Sequence, residues 1–393
     1  MVADVPPRLT ARTGPLAGLR VVEFSGIGPG PMAGMLLADL GAEVLCIDRI
    51  EPSGLGIDRP PRFDLPQRGK RTLHVDLKQP AGSALAQALL ARTDALIEGF
   101  RPGTMERLGL GPETALAANP RLVYGRVTGF GQTGPLARAA GHDLNYIALA
   151  GALHAIGRAE GAPTPPLNLL GDYAGGAMLL AFGLLCALWS ARASGRGQVV
   201  DAAMVDGVAA LMTPLHGFMA AGLHEGPRGT NLLDGGAPFY DTYCCADGQW
   251  VAVAPIEAKF QRVLLERLAW AGITVADLPG FADRARWPEL RQRLSEIFAT
   301  QSRAHWCELL EGTDACFAPV LSPREAPAHA HLQARGTFVR IDGIEQPAPV
   351  PRFSATPPAT PLPPLAAGDG REWARAWDVD PAVIEAALGA GPP

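Results

Sequence analysis

The stretch "VVEFSGIGPGPMAGMLLADLGAEVLCIDR", Val21 to Arg49, decides the fold. A β-branched run leads into a glycine loop, an apolar helical pattern follows, and a second strand pattern ends at Asp48. This order reads as the first β-α-β unit of a nucleotide-binding sheet, with Gly26, Gly28 and Gly30 in the loop and an acid about 20 residues further on. The loop is nevertheless a poor phosphate cradle. Such loops work through backbone N–H groups aimed at the anion, and Pro29 and Pro31 have none to give. Proline in a first helical turn starts a helix well. The loop is therefore expected to be a tight turn in the scaffold rather than a nicotinamide site. Arg49, next to Asp48, suits a phosphorylated ligand better than a bare ribose diol.

Outward from this unit, strand and helix patterns alternate as far as Val127: "AEVLCID", "RTLHVDL", a helix over 79–92, "DALIEGF" and "RLVYGRVTGF". Such alternation predicts an α/β domain with a parallel sheet covered by helices. From Asp143 to Trp189 the pattern is helical, and "GRGQVVDAAMVDGVAALM" adds a short strand and a long helix. After Gly222 the character changes. "PFYDTYCCADGQWVAVAPI" reads as a hairpin turning at Asp247-Gly248, and helices follow to about Leu310. The proline-rich segment Gln346–Leu365 predicts an extended strap, with a last helix over Glu372–Leu388. The first ten or so residues read as a loose arm. The expected division is a large domain over 14–205, a linker over 206–225, a smaller α+β domain over 226–325, and a return linker with a C-terminal segment over 326–393.

At 393 residues the chain can bury a large core; 48% hydrophobic and 19% charged residues mark it as globular. A net charge of −5 leaves no general basic surface, so nucleic acid is not an expected partner. Six cysteines without CxxC or dense spacing read as reduced core thiols, and no signal-peptide pattern stands at the N-terminus. The apolar stretch Ala174–Trp189 is short for a membrane span and suits a buried helix. A cytoplasmic protein, with no membrane partner, is expected.

Two acid–base candidates occupy similar places. Gly141, His142 and Asp143 precede one apolar helical run, and Gly171 and Asp172 precede another. Asp143 and Asp172 each suit an N-cap, so a pair of helix caps beside a structural histidine is one reading. The other is chemical. The positive end of a helix suits a neutral imidazole able to take a proton, and free N–H groups there receive a developing oxyanion. If the two termini converge, a His and an Asp flank an anion-friendly spot suited to moving a proton beside a carbonyl. The remaining histidines lack metal-ligand spacing, no GxSxG occurs, and no metal is expected. Met178, Met204, Met212 and Met219 fit either core filling or a pliable apolar pocket.

At these residues the chain resembles the family III coenzyme A transferases, and most closely their α-methylacyl-CoA racemase branch. The resemblance rests on an ordered series: "LRVVEF" to "LADLGAEV", "DLK" at 76–78, "EGFRPGTMERLGLG" at 98–111, "GFGQTGP" at 129–135, "GHDLNY" at 141–146, "GDYAGG" at 171–176 and "GRGQVVDAAMVDG" at 195–207. "DGGAPFYDTY" at 234–243, "DACFAPV" at 314–320 and "HLQARG" at 331–336 continue it. The resemblance implies a Rossmann-like large domain binding coenzyme A, a smaller domain, and two subunits threaded through each other as an interlocked homodimer. It implies that Arg49, Val75, Asp76, Leu77, Lys78, Gly99, Phe100, Arg101 and Arg107 hold coenzyme A, and that Gly141, Asp143 and Tyr146 border the thioester.

It further implies that His142 and Asp172 carry the chemistry, with Asn168 supporting Asp172. Glu257, from the smaller domain and reaching a site built with the other subunit, would support His142. In the transferases the aspartate is a nucleophile; His142 favours the racemase branch. The implied reaction interconverts (2R)- and (2S)-2-methylacyl-CoA thioesters through an enolate, with coenzyme A as part of the substrate and no redox or metal cofactor. A transferase moving coenzyme A between carboxylic acids is the nearer alternative. A nicotinamide oxidoreductase and a non-catalytic acyl-CoA binder are the distant ones.

Overall fold

The computed structural model describes residues 12–51, 54–364 and 370–389. The expected N-terminal arm lies outside them. The chain divides into two compact units, one taking the chain up to Ala150 with Leu167–Leu211 and everything from Phe338, the other Gly151–Pro166 with Met212–Thr337.

The first unit is built on six parallel strands: β1 (Arg20–Phe24), β2 (Glu43–Asp48), β3 (Arg71–His74), β4 (Ala95–Glu98), β5 (Val123–Thr128) and β6 (Gln198–Ala203). Their order is β3-β2-β1-β4-β5-β6, so the order in which strands are added reverses between β1 and β4. Helices α1 (Pro29–Asp39) and α2 (Pro80–Leu90) connect successive strands.

The central strands are buried at successive positions because both faces are covered. One register row runs Leu45, Val22, Leu96, Tyr124, each fully buried, and belongs to a core shared with α2 and with Trp373, Trp377 and Ile384 near the C-terminus. The neighbouring row, Val44, Val21, Ala95 and Val123, points the other way. It packs with Leu37 of α1 and with Leu180, Leu184 and Ala187 of the helix Leu179–Ser194. Each buried large aliphatic side chain stabilises the sheet by about 1.5–3 kcal/mol.

The C-terminal segment is pinned by the indole of Trp377, which donates to Glu43 Oε2 at 2.6 Å. The proline-rich segment begins in a hairpin, Phe338–Ile341 with Ile344–Pro347, rather than as an irregular strap throughout. Buried Arg68 donates to Gln346 Oε1 and to the Pro347 carbonyl, both at 2.8 Å, and pairs with Asp39 at 2.5 Å. Leu365 lies outside the described residues.

The second unit holds a three-stranded antiparallel sheet, β7 (Asp241–Cys244), β8 (Trp250–Val253) and β9 (Phe317–Pro319), with helices Ala258–Trp270, Trp287–Phe298 and Arg303–Leu310. Tyr243 stacks on Phe298 at 5.2 Å, and the fully buried Trp306 meets Phe298 edge-on at 5.1 Å.

Four expectations are corrected. Residues 151–166 belong with the second unit, because Arg228 donates to the carbonyls of His154, Arg158 and Gly161 and Arg158 pairs with Asp241. The borders fall after Leu211 and before Phe338 instead of at 205 and 326. The long helix after β6 is two short ones, Met204–Leu211 and Thr213–Ala220, split where Pro214 cannot donate. The last helix is likewise two, Arg371–Ala376 and Pro381–Leu388, because Asp380 caps a new start at the Ala382 N–H, 2.9 Å away.

Candidate active site

In an open parallel sheet a ligand crevice forms beyond the carboxyl ends of the strands, where the strand order reverses. Nearly all the residues singled out in the first unit stand along that edge. Arg49 follows β2, Val75 to Lys78 follow β3, and Gly99 to Arg101 follow β4. Val75 is buried and donates to the Asp48 carbonyl at 2.7 Å, Leu77 packs on the core, and Asp76 accepts the Lys78 N–H at 3.0 Å. Phe100 packs on Phe24 and donates its N–H to Glu98 Oε2 at 2.7 Å. Gly99 is exposed, and Arg49, Lys78, Arg101 and Arg107 are four exposed cations on this edge.

Beside them opens a cleft of about 630 Å³, bordered by Gly103, Glu106, Arg126, Gln132, Gly134 and Arg138. Its floor is Arg126, which links fully buried Glu98 at 2.7 Å to Glu106 at 2.8 Å. The sequence reading passed over Arg126, which sits mid-strand where a charge is unusual; that oddity was the available signal.

Asp172 is set by local winding. Leu167 takes a left-handed φ of 58°, a conformation β-branched and bulky residues rarely adopt, and from Leu169 to Met178 the chain winds as a π-helix. Such wide turns are frequent at functional sites. Its glycines permit the packing: a Cβ on Gly176 would stand 2.9 Å from both Pro29 and Met204, and one on Gly171 would stand 2.7 Å from Asp143 Oδ2. Asn168 Nδ2 donates to Asp172 Oδ2 at 3.1 Å.

His142 is the N-cap of the helix Asp143–Leu149 and is exposed; its backbone N–H donates to Asn145 Oδ1 at 3.0 Å. Asp143 is buried, and its Oδ2 accepts the backbone N–H of Gly171 at 2.6 Å and of Asp172 at 2.7 Å. The two helical segments do converge. Neither aspartate is a cap of its own helix, contrary to expectation: Asp143 binds the start of the other segment, and Asp172 lies inside the π-wound turn.

Burial pushes the Asp172 carboxyl above the usual carboxylate range, and the charge of Asp143 adds to this, while Asn168 and His142 pull it down. Burial, with Asp172 and Asp143 beside it, likewise pushes the Tyr146 phenol up to about 12, with Arg101 opposing. Tyr146 donates to the Gly141 carbonyl and meets Phe130 edge-on at 5.0 Å. Gly141 must stay small, since a Cβ there would stand 2.8 Å from the Tyr146 ring.

The glycine loop contributes what the sequence concealed. Gly28 is the N-cap of α1, with φ 69° and ψ −117°, and a Cβ on it would stand 3.1 Å from Asp172 Oδ2. The loop is scaffold, as expected, and it is also one wall beside the carboxylate.

Glu257, in the second unit, is the exposed N-cap of the helix Ala258–Trp270; its carbonyl accepts the N–H of Phe260 at 2.9 Å and of Gln261 at 3.0 Å. Of the four methionines, Met204 is core, whereas Met178 and Met219 are exposed. No cluster of three or more His, Cys, Asp or Glu able to hold a metal occurs among the described residues.

The sheet is doubly wound, with a carboxylate beside its carboxyl edge and exposed cations along the same edge, and the chain belongs to the CoA-transferase family III, whose profile matches residues 16–369. It is 46% identical over 344 residues to the alpha-methylacyl-CoA racemase of Mus musculus, and 45% identical over 345 residues to the Homo sapiens protein of that name; each match covers 87% of both chains. Among solved structures, a CAIB/BAIF family protein from Brucella suis superposes with a TM-score of 0.80 at 25% identity, over 93% of this chain and 99% of that one. The family read from the motifs is borne out, and the nicotinamide reading of the glycine loop falls.

Proposed function

We propose that the protein is an α-methylacyl-CoA racemase, interconverting (2R)- and (2S)-2-methylacyl-CoA by moving the α-proton through an enolate. The observation that carries this reading is the convergence of the His142 helix start and the Asp172 turn on the Asp143 carboxylate, in a chain whose relatives at 45–46% identity bear that name.

The α-proton of a thioester is far less acidic than either side chain, so positioning and charge stabilisation must supply the difference. Coenzyme A would lie along the carboxyl edge, its phosphates paired with cations drawn from Arg49, Lys78, Arg101 and Arg107 and its backbone contacts made by Val75–Leu77, Gly99 and Phe100. This sets the α-carbon between His142 on one face and Asp172 on the other. One removes the proton and the other returns it to the opposite face, and their roles exchange between epimers. The burial that raises the proton affinity of Asp172 makes it a better base than a solvated aspartate. The N–H at the start of the Asp143–Leu149 helix would meet the enolate oxygen, Gly141 and Tyr146 shaping the turn around it. Asn168 holds Asp172 in place, and Glu257 from a second copy of the chain would orient His142. No metal or redox group has a step in this scheme.

A homodimer is part of the proposal. Met178, Phe182, Leu185 and Trp189 form an exposed apolar stripe along one helix face. That helical run, Leu169–Ser194, is 26 residues and long and apolar enough to cross a membrane, longer than the stretch singled out in the sequence. Its other face packs in the sheet core and its first turns carry Asp172, which supports a second copy of the chain, interlocked with the first, as the cover of the stripe. The six free cysteines agree with a reducing, cytoplasmic setting.

The test is incubation of a single epimer of a 2-methylacyl-CoA with the protein and nothing else. Appearance of the other epimer supports the proposal. Turnover only when an acceptor carboxylic acid is added would assign the protein to coenzyme A transfer through Asp172.

A further inference from the structure

The Asp143 side chain has features that capping does not require. It is 4% exposed, and a single oxygen, Oδ2, takes both N–H groups of the neighbouring segment, from Gly171 at 2.6 Å and from Asp172 at 2.7 Å. The other oxygen, Oδ1, is buried with no hydrogen-bond partner among the described residues. A bare buried carboxylate oxygen carries a desolvation cost of the order of 1–3 kcal/mol, or more for a charged group. Two N–H groups could be held as well by the carbonyl of an asparagine, without the buried charge. What the carboxylate adds over the amide is its charge, and that charge stands against Asp172.

We propose that the Asp143 side chain is the positioning residue of the proton-transfer pair, fixing the backbone of Asp172 to the helix start that carries His142. This rests on the racemase reading above and assigns to the side chain a role that the backbone N–H does not cover. Because His142 and Asp143 are adjacent in sequence, the two short hydrogen bonds tie both proton carriers to one carboxylate. The spacing across the substrate α-carbon is thereby set by two bonds within one unit. Gly171 has to lack a Cβ for this, since the added atom would stand 2.7 Å from Asp143 Oδ2.

The charge has a second consequence. Asp172 is faced by His142, Asp143 and Tyr146 from the helix packed on it and by Asn168 from its own segment, while Arg101 acts on Tyr146 nearby. Within this set Asp143 is the carboxylate whose charge holds the Asp172 proton more tightly, in addition to burial. Positioning and basicity thus come from the same group.

The experiment compares the wild-type protein with Asp143→Asn, which keeps the acceptor and removes the charge, and with Asp143→Ser, which shortens the acceptor. The Asp172 carboxyl is titrated by 13C NMR, and the pH profile of α-proton exchange is measured for each epimer. In Asp143→Asn the Asp172 titration and the acid limb of the Asp172-dependent epimer are expected to move down by about one pH unit, as the loss of a close like charge dictates. Exchange falls about 10- to 100-fold in Asp143→Ser, the scale expected of an ångström-sized misplacement. An unmoved titration in Asp143→Asn, or failure of both variants to fold, would give Asp143 a structural role only and overturn the proposal. The NMR titration reads out whether or not 2-methylacyl-CoA is turned over, so loss of the racemase reading would show separately, as a wild-type protein without exchange.

Discussion

Gly28 and Asp172, far apart in sequence, face each other across the carboxyl edge of the sheet: a Cβ built on Gly28 would stand 3.1 Å from Asp172 Oδ2 and 3.3 Å from its Cγ. The loop that begins the fold therefore also bounds the space around the carboxylate. A side chain there is doubly unwelcome, because Gly28 also has a positive φ of 69°. Gly28→Ala is expected to lower kcat about 10- to 100-fold with little change in KM, by displacing Asp172. The backbone at Gly28, with φ 69° and ψ −117°, is one that residues with a side chain rarely adopt, and it adds about 1–3 kcal/mol of lost stability. Steady-state kinetics together with a denaturant titration check both parts.

The raised proton affinity of Asp172 makes a signed prediction about pH. For the epimer whose proton Asp172 removes, activity rises only as the carboxyl ionises, so the acid limb lies above the range of an ordinary aspartate. The same shift opposes folding. Below the unfolded-state value both states are protonated and nothing is lost, whereas stability falls as pH rises from there through the folded-state value. Asp172→Asn is accordingly expected to lose epimer interconversion but to melt at a higher temperature than wild type at neutral pH. That gain should vanish in acid, which thermal melts across pH will show.

Below the glycine loop lies a fully buried ion pair. Lys70 Nζ donates to Glu23 Oε2 at 2.6 Å and to the Pro31 carbonyl at 2.8 Å, both side chains excluded from solvent. Breaking such a pair from one side leaves a bare charge and costs about 3–5 kcal/mol. Lys70→Met is expected to lose stability on this scale, and pairing it with Glu23→Leu should recover much of it. Because the Pro31 carbonyl loses its donor in both variants, the double variant should regain stability more fully than kcat. Chemical denaturation and kinetics on the same preparations separate the two.

The exposed cations at the strand ends lead to a different split. Charge-assisted contacts to phosphate act on the bound and reacting states alike, so losing one raises KM and leaves kcat. Arg49→Ala, Arg101→Ala and Arg107→Ala are each expected to raise KM for the acyl-CoA about tenfold, with an effect that shrinks at high salt. Arg101 also lies near Tyr146, so its variant is the one of the three expected to lower kcat as well.

Much of this was legible in the residues because the sheet is buried on both faces. Runs such as "RVVEF" and "EVLCID" are apolar at successive positions instead of alternate ones, which marks strands of a doubly covered parallel sheet, and the strand order then fixes where a ligand crevice lies. The family followed from ordered motifs. The convergence of the two aspartates was conceivable but not readable, since it depends on one carboxylate reaching N–H groups 28 and 29 residues away. The π-helix was invisible for a related reason: "LLGDYAGGAM" has the composition of an ordinary helix, and the close approach of Pro29, Met204 and Asp143 to its glycines comes from distant parts of the chain. The cap reading and the chemical one stayed side by side in the sequence because an aspartate before an apolar run looks the same whether it binds its own helix or a neighbour's.

The central claim is that His142 and Asp172 act as two bases on opposite faces of one α-carbon. It is tested most directly by α-deuterium incorporation in heavy water, using each pure epimer with wild type, His142→Ala and Asp172→Asn. The account predicts that wild type labels and interconverts both epimers. Each single variant should label only the epimer served by its surviving base, the two variants taking opposite epimers, and neither should interconvert them. Wild-type interconversion by His142→Ala, or label entering the same epimer in both variants, would contradict it.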